Sequence, residues 1–321
     1  MQRVVSTREI PSEGLQSLRE RFNVSIQPPP TSAGHSEESL IEAATGADAL
    51  ITMLSDPVSA RVIHSLDRLK IISQYAVGYD NIDLEAARET GLVVTHTPGV
   101  LTEATADFAM GLLLAVARRI PAADRYVRDG RFKRWETMEL LGLELSGRTL
   151  GIVGMGRIGA AVARRAIGFG MEIIYHNRHR ANPTIERQLA ARFVSFDELL
   201  SESDVISIHA SLGAENRSLF DAQAFARMKP GAILINTARG AIVREVDLVD
   251  ALKGGHLGGA GMDVFEQEPV VHPDLMDLPN VVLAPHIGSA TRRARSRMSE
   301  MCATSITRYF LGDDTIPYRI V

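Results

Sequence analysis

The chain has 321 residues, 45% of them hydrophobic and 23% charged, a balance that excludes a disordered or collagen-like chain and fits two ordinary domains. Its formal net charge of −4 gives no general pull toward nucleic acid or anionic lipid, and neither is expected as a partner. The single cysteine, Cys302, excludes an intrachain disulfide and suits a reducing, cytoplasmic setting.

In the first hundred residues short apolar runs alternate with amphipathic stretches. Val4-Val5, Val24–Ile26, Ala49–Thr52, Ile71–Ser73 and Val93-Val94 read as buried strands, and Pro11–Arg21 and Ser36–Ala44 as helices. The proline-stiffened segment 27–32 is a loop. Such alternation predicts a parallel sheet covered on both faces. Leu101–Arg119 is a long helix, apolar around most of its surface, with Pro98-Gly99 as the break before it and Pro121 as the stop after it. A helix apolar on several sides suggests a domain–domain or subunit interface. Its run Ala109–Ala117 ends at Arg118-Arg119, too short to span a bilayer. The opening Met1–Val5 carries no apolar signal core, so no membrane is expected as a partner. A second alternating series follows, with strands at 150–153, 172–175, 205–208, 232–235 and 281–283.

Gly154-Met155-Gly156-Arg157-Ile158-Gly159 is a GxGxxG that follows the apolar strand 150–153 and opens a helix over 160–168. In that setting the glycines have separate tasks. Gly154 permits the tight turn, Gly156 lets the backbone approach a pyrophosphate, and Gly159 lets helix and strand pack closely. The helix N-terminus offers unpaired N–H groups to phosphate. The next strand runs into Asn177-Arg178-His179-Arg180. Asn177 stands where an acidic residue would hold the ribose diol of NAD, so nothing there repels a 2′-phosphate, and two arginines can pair with it. NADP is the expected cofactor. Adenine stacking on Arg178 could also serve NAD.

Three polar residues stand apart after this point. Arg239 and His286 directly follow buried strands, and Glu268 lies between them. Ligands of open α/β sheets bind at the carboxyl ends of strands. There an arginine can clamp a carboxylate, a histidine can exchange a proton, and a glutamate can orient the ring and stabilise its charged form. No metal ligands are assigned.

With these residues in place the chain resembles the D-isomer-specific 2-hydroxyacid dehydrogenases, from Tyr75–Asp83 through His286–Ser289. Within them it is most similar to glyoxylate/hydroxypyruvate reductases, through Thr97–Asp107 and Pro285–Thr291. The resemblance implies two Rossmann-like doubly wound α/β domains, with a dinucleotide domain, 100–286, inserted into a discontinuous substrate-binding domain, 1–99 plus 287–321. The 35 residues after His286 would cross back to complete the first domain and leave no room for a regulatory domain. It implies NAD(P)H-dependent reduction of a small 2-oxo acid to the 2-hydroxy acid. Arg239 would bind the carboxylate and polarise the oxo group, His286 would be the general acid, and Glu268 its partner. Leu54, Ser55, Val77 and Gly78 would face the substrate. Thr105, Thr237, Ala238, Asp263, Gly288 and Ser289 would hold the cofactor, and Arg239 and His286 would contact it as well. A homodimer built on 101–146 is implied too, with Trp135 either in the interface or in the partner's site. Ser211-Leu212-Gly213 departs from the proline-containing stretch common in the family, which would alter the loop over the adenosine ribose. Other readings remain open at this point: a dehydrogenase of phosphoglycerate or a bulkier acid, and more distantly a dinucleotide-sensing corepressor-like scaffold.

Overall fold

The computed structural model describes residues 1–321 except Ala33 and Asp314. These residues divide into two compact units, Met1–Leu101 with Ala290–Val321, and Thr102–Ser289.

The first unit carries strands β1 (Arg3–Ser6), β2 (Asn23–Ile26), β3 (Ala49–Thr52), β4 (Ile71–Gln74) and β5 (Val93–Thr95), and helices α1 (Ser12–Arg19), α2 (Glu37–Ala44), α3 (Ala60–His64) and α4 (Leu84–Glu89). Among the described residues they form a parallel sheet in the order β2-β1-β3-β4-β5. Strands β3 and β4 are buried along their whole length, as parallel strands covered on both faces must be. The chain returns to this unit at its end. There α13 (Arg292–Leu311) packs on α1 and β4. Gly14 makes the helix contact possible, because a Cβ there would lie 2.2 Å from the Ser299 carbonyl oxygen. The last residues run beside β5, where the Ile320 N–H donates to the Val94 carbonyl at 2.7 Å.

The second unit begins with α5 (Thr102–Ala117) and α6 (Ile120–Arg128). Its strands are β6 (Thr149–Val153), β7 (Glu172–His176), β8 (Arg192–Phe193), β9 (Val205–Ile208), β10 (Ile233–Asn236), β11 (Gly259–Met262) and β12 (Val281–Leu283). Between them lie α7 (Arg157–Gly168), α8 (Pro183–Leu189), α9 (Phe196–Glu202), α10 (Ala222–Arg227), α11 (Glu245–Lys253) and α12 (Pro273–Asp277). The strands make one parallel sheet, β12-β11-β10-β9-β6-β7-β8, with an apolar cluster on each face. The order reverses at β6: β7 lies on one side and β9 on the other. That is the switch point where a ligand crevice opens in doubly wound sheets.

Four sequence expectations change here. The divisions fall at 101/102 and 289/290 rather than 99/100 and 286/287, because α5 starts at Thr102 and residues 286–288 are tied to Asp263 of the second unit. Pro121 does not merely stop a helix. It sits in the first turn of α6, where its missing N–H would be unpaired anyway, after Arg119 turns the chain at φ 54°. The apolar surface of α5 is buried against α7, β10 and β11 of its own unit. Finally, β11 is a strand of Gly-Ala-Gly-Met with no apolar run to announce it. Cβ atoms on Gly259 and Gly261 would lie 2.6 Å and 3.4 Å from methyls of Val116 in α5, so the helix occupies the room of side chains.

Candidate active site

The loop after β6 has the form expected of a dinucleotide cradle. Gly154 sits at φ +100°, and a Cβ there would be 2.5 Å from the Ala210 nitrogen at the end of β9. A Cβ on Gly159 would meet the Gly154 carbonyl oxygen at 2.2 Å. Gly156 differs from both: a Cβ there would meet nothing within 4 Å, and no side chain caps α7, whose first residues are Arg157 and Ile158. Open space over bare helix N–H groups fits a pyrophosphate.

Asn177, one residue past β7, is tied into the same loop, its Oδ1 accepting from the Met155 N–H at 2.6 Å. Arg178 and His179 are exposed. The tertiary structure adds a carboxylate to the two arginines expected here. Arg178 Nη1 lies 2.9 Å from Oε1 of Glu215, brought in from the turn after β9. Arg180 is held by Glu186, with Nε 2.8 Å and Nη2 3.0 Å from its carboxylate oxygens, so it is not an idle source of field.

The proposed catalytic residues follow three neighbouring strands. Asn236, Met262 and Leu283 are in register at the carboxyl ends of β10, β11 and β12. Arg239 comes three residues after the first, half-buried, with Nη1 donating to the Ala238 carbonyl at 2.8 Å. The Asn236 side chain braces this loop at both ends, accepting from the Ala238 N–H at 3.0 Å and donating to the Arg239 carbonyl at 2.9 Å. Gly240 must be glycine, because a Cβ would fall 1.9 Å from the Phe265 backbone. The loop of Arg239 is thereby pressed against that of Glu268.

His286 Nδ1 lies 2.9 Å from Glu268 Oε2. An ionised carboxylate only accepts, so Nδ1 is the donor and Nε2 is left for proton transfer. The other oxygen, Oε1, accepts from the Phe265 N–H at 3.1 Å, which fixes the carboxylate. The backbone of His286 is in the left-handed region, φ 55°, an uncommon state for a residue with a Cβ. Asp263 holds it there. Its carbonyl accepts from the His286 N–H at 2.8 Å, and its two carboxylate oxygens accept from Ile287 and Gly288 N–H groups at 2.7 Å each. Burial pushes the Asp263 carboxyl above the usual carboxylate range. The buried Thr105 adjoins Gly288, and Ser289 beyond is half-buried.

Sequence reasoning missed His209, which sits past β9 with Nε2 2.8 Å from Ser207 Oγ and Nδ1 3.5 Å from Thr237 Oγ1. Desolvation pushes it down to about 3, so it is neutral beside a cradle suited to anions. It also missed Glu215 and the reciprocal clamp in which Glu245 and Glu266 accept each other's backbone N–H, at 2.8 and 3.1 Å respectively. The one readable hint was a histidine directly after a buried strand.

In the first unit the loop of Leu54 and Ser55 is braced by buried Asp56, which accepts from the Met53 N–H at 2.8 Å. Val77 and Gly78 follow β4, half-buried. The Val77 carbonyl accepts from His96 Nδ1 at 2.8 Å, and that of Gly78 from the Gln74 amide at 3.3 Å.

Residues 110–288 match the D-isomer specific 2-hydroxyacid dehydrogenase NAD binding domain. The chain belongs to this family. It is 49% identical to the glyoxylate reductase of Korarchaeum cryptofilum over 99% of this chain and 95% of that one. A solved protein of Thermus thermophilus matches with a TM-score of 0.92 at 46% identity, covering 99% of this chain and all of the other. The NADPH-dependent glyoxylate/hydroxypyruvate reductase of Sinorhizobium meliloti, solved with NADP and malonate, matches at 0.87 and 31%, covering 100% and 97%. Family membership makes this dehydrogenase an oxidoreductase. Among its described residues no helix is long and apolar enough to cross a membrane.

Proposed function

We propose that this dehydrogenase reduces glyoxylate or hydroxypyruvate to the 2-hydroxy acid. One observation carries the reading: the His286–Glu268 pair, closed at 2.9 Å, follows β12 and β11, with β10 of Arg239 next to β11, in a chain 49% identical to a glyoxylate reductase. When bound, the nicotinamide supplies the hydride that reduces the 2-oxo carbon. Arg239 binds the substrate carboxylate and draws charge from the oxo group. His286 passes a proton from Nε2 to the oxygen as it becomes a hydroxyl, and Glu268 stabilises the charged ring from the other side. Leu54, Ser55, Val77 and Gly78 of the first unit are assigned to the substrate. Thr105, Thr237, Ala238, Asp263, Gly288 and Ser289 are assigned to the cofactor. Steady-state kinetics with glyoxylate, hydroxypyruvate, pyruvate and phenylpyruvate test the substrate. Preference for a bulky acid, or no turnover, would overturn the reading.

For the cofactor we propose NADPH over NADH. Asn177 brings no negative charge to the ribose, and Arg178 has the planar fork that suits phosphate. The double change Asn177→Asp with Arg178→Ala should swing preference to NADH with kcat nearly intact, because neither residue is assigned to the reacting atoms. A wild-type enzyme that uses NADH as well or better would refute this.

We propose further that the dehydrogenase is a cytoplasmic homodimer built on the 101–146 segment. Phe132, Trp135, Met138 and Leu141 are all more than half exposed there, an apolar surface that a second copy would cover. Buried Cys302, the one cysteine, suits a reducing compartment. Sedimentation of a Trp135→Ser, Leu141→Ser variant tests the dimer. An unchanged mass would place the interface elsewhere.

A further inference from the structure

We propose that Glu215 sets the strength of cofactor discrimination by competing with a 2′-phosphate for Arg178. The proposal rests on assigning the end of β7 to the adenosine ribose.

Arg178 and Glu215 come from loops after β7 and β9, the strands flanking β6, so their 2.9 Å ion pair lies across the mouth of the nucleotide crevice. The turn that delivers Glu215 is built to do so. In the short 3-10 turn Ala214–Asn216, the Asn216 side chain accepts from the Gly213 N–H and donates to the Ser211 carbonyl, both at 2.8 Å. Gly213 leaves the space the carboxylate uses, since a Cβ there would lie 2.3 Å from Glu215 Oε2. The Ser211-Leu212-Gly213 departure from the family pattern thereby acquires a physical consequence.

A guanidinium fork grips one planar or tetrahedral anion well. While Glu215 holds Arg178, an incoming 2′-phosphate must displace a carboxylate and then lie close to it, at a cost in affinity. A ribose without that phosphate meets the opposite situation. Its hydroxyls can donate to the carboxylate, the role that the absent acidic residue at 177 would otherwise fill. Arg180 does not relieve the competition, because it is engaged by both oxygens of Glu186. Glu215 therefore weakens NADP(H) and supports NAD(H), moderating the preference that Asn177 and Arg178 create.

The test is calorimetric binding of adenosine 2′,5′-bisphosphate and of 5′-AMP to the intact enzyme, wild type and Glu215→Gln. The variant should bind the bisphosphate about 1.4- to fivefold tighter, the range that exposed ion pairs produce, and 5′-AMP no tighter. High salt should shrink the gain. Gly213→Ala, which crowds the carboxylate without removing it, should move the ratio the same way. In an Arg178→Ala background the Glu215 change should lose its effect. An unchanged ratio in Glu215→Gln, or equal tightening of both ligands, would overturn the proposal while leaving the role of Arg178 intact. Undiminished discrimination in Arg178→Ala alone would instead overturn the assignment of this loop to the ribose, and the proposal with it.

Discussion

Replacing Gly156 by alanine should separate the stability of the fold from the competence of its nucleotide site. The backbone of Gly156 is at φ −87° and ψ −158°, an extended state open to alanine, and a Cβ meets nothing within 4 Å. Restricting the unfolded chain should stabilise the protein by about 0.4–1 kcal/mol. Alanine is the poorer helix N-cap, which should cost a similar amount. The two nearly cancel, so the melting temperature should move by no more than about 2–4 °C. The methyl nevertheless stands in the space a pyrophosphate must enter. Lengthening one charge-assisted hydrogen bond from the α7 N-terminus forfeits about 1.5–3 kcal/mol, or roughly ten- to 150-fold in dinucleotide affinity. Gly159→Ala is the control: its Cβ is driven to 2.2 Å from a backbone oxygen, and overpacking of that kind costs about 1–3 kcal/mol before any ligand is added. Thermal melts by circular dichroism, with dinucleotide titrations by fluorescence, read both quantities. Wild-type affinity in a folded Gly156→Ala enzyme would refute the assignment of this cradle.

Arg239→Ala should lower kcat/KM for glyoxylate by about 2 kcal/mol or more, roughly 30-fold, through loss of carboxylate binding and alignment. Near-normal kcat/KM would remove Arg239 from the site. Glu268→Gln keeps an acceptor for the Phe265 N–H but not the charge that stabilises a protonated His286. Its kcat for reduction should fall, and an unchanged kcat would break the pairing. His209 in the folded chain sits near 3, below its unfolded value of about 6.5, so its neutral form contributes stability above that value and the contribution falls as pH drops toward 3. About 1 kcal/mol of stability should be gone one pH unit below the unfolded value, and His209→Asn should flatten that stretch of the ligand-free stability curve. Identical slopes in the two proteins would assign the acid sensitivity to another group.

The alternation of strands and helices was legible because parallel strands buried on both faces need unbroken apolar runs, and 49–52, 71–74 and 205–208 have them. The GxGxxG was legible for a related reason. Gly154 answers a positive φ and Gly159 a close approach that no other residue meets, while Gly156 leaves open space at the start of α7. Strand β11 was not legible, because what makes it a strand is a helix more than a hundred residues earlier in the chain lying where its side chains would be.

The chemical inventory belonged to the sequence: an arginine and a histidine directly after buried strands, a glutamate between them, and an asparagine where an acid would select NAD. Which of these groups are occupied by others was settled only by folding. Charges at 178 and 215 do not adjoin in sequence, yet neighbouring strands bring them to 2.9 Å. The carboxylate of Asp263, 23 residues before His286, holds the loop in which His286 keeps its left-handed backbone. Residue type determines what a side chain can do. Its partners depend on which strands lie side by side, and that order is a property of the packed sheet, where β6 sits between β9 and β7.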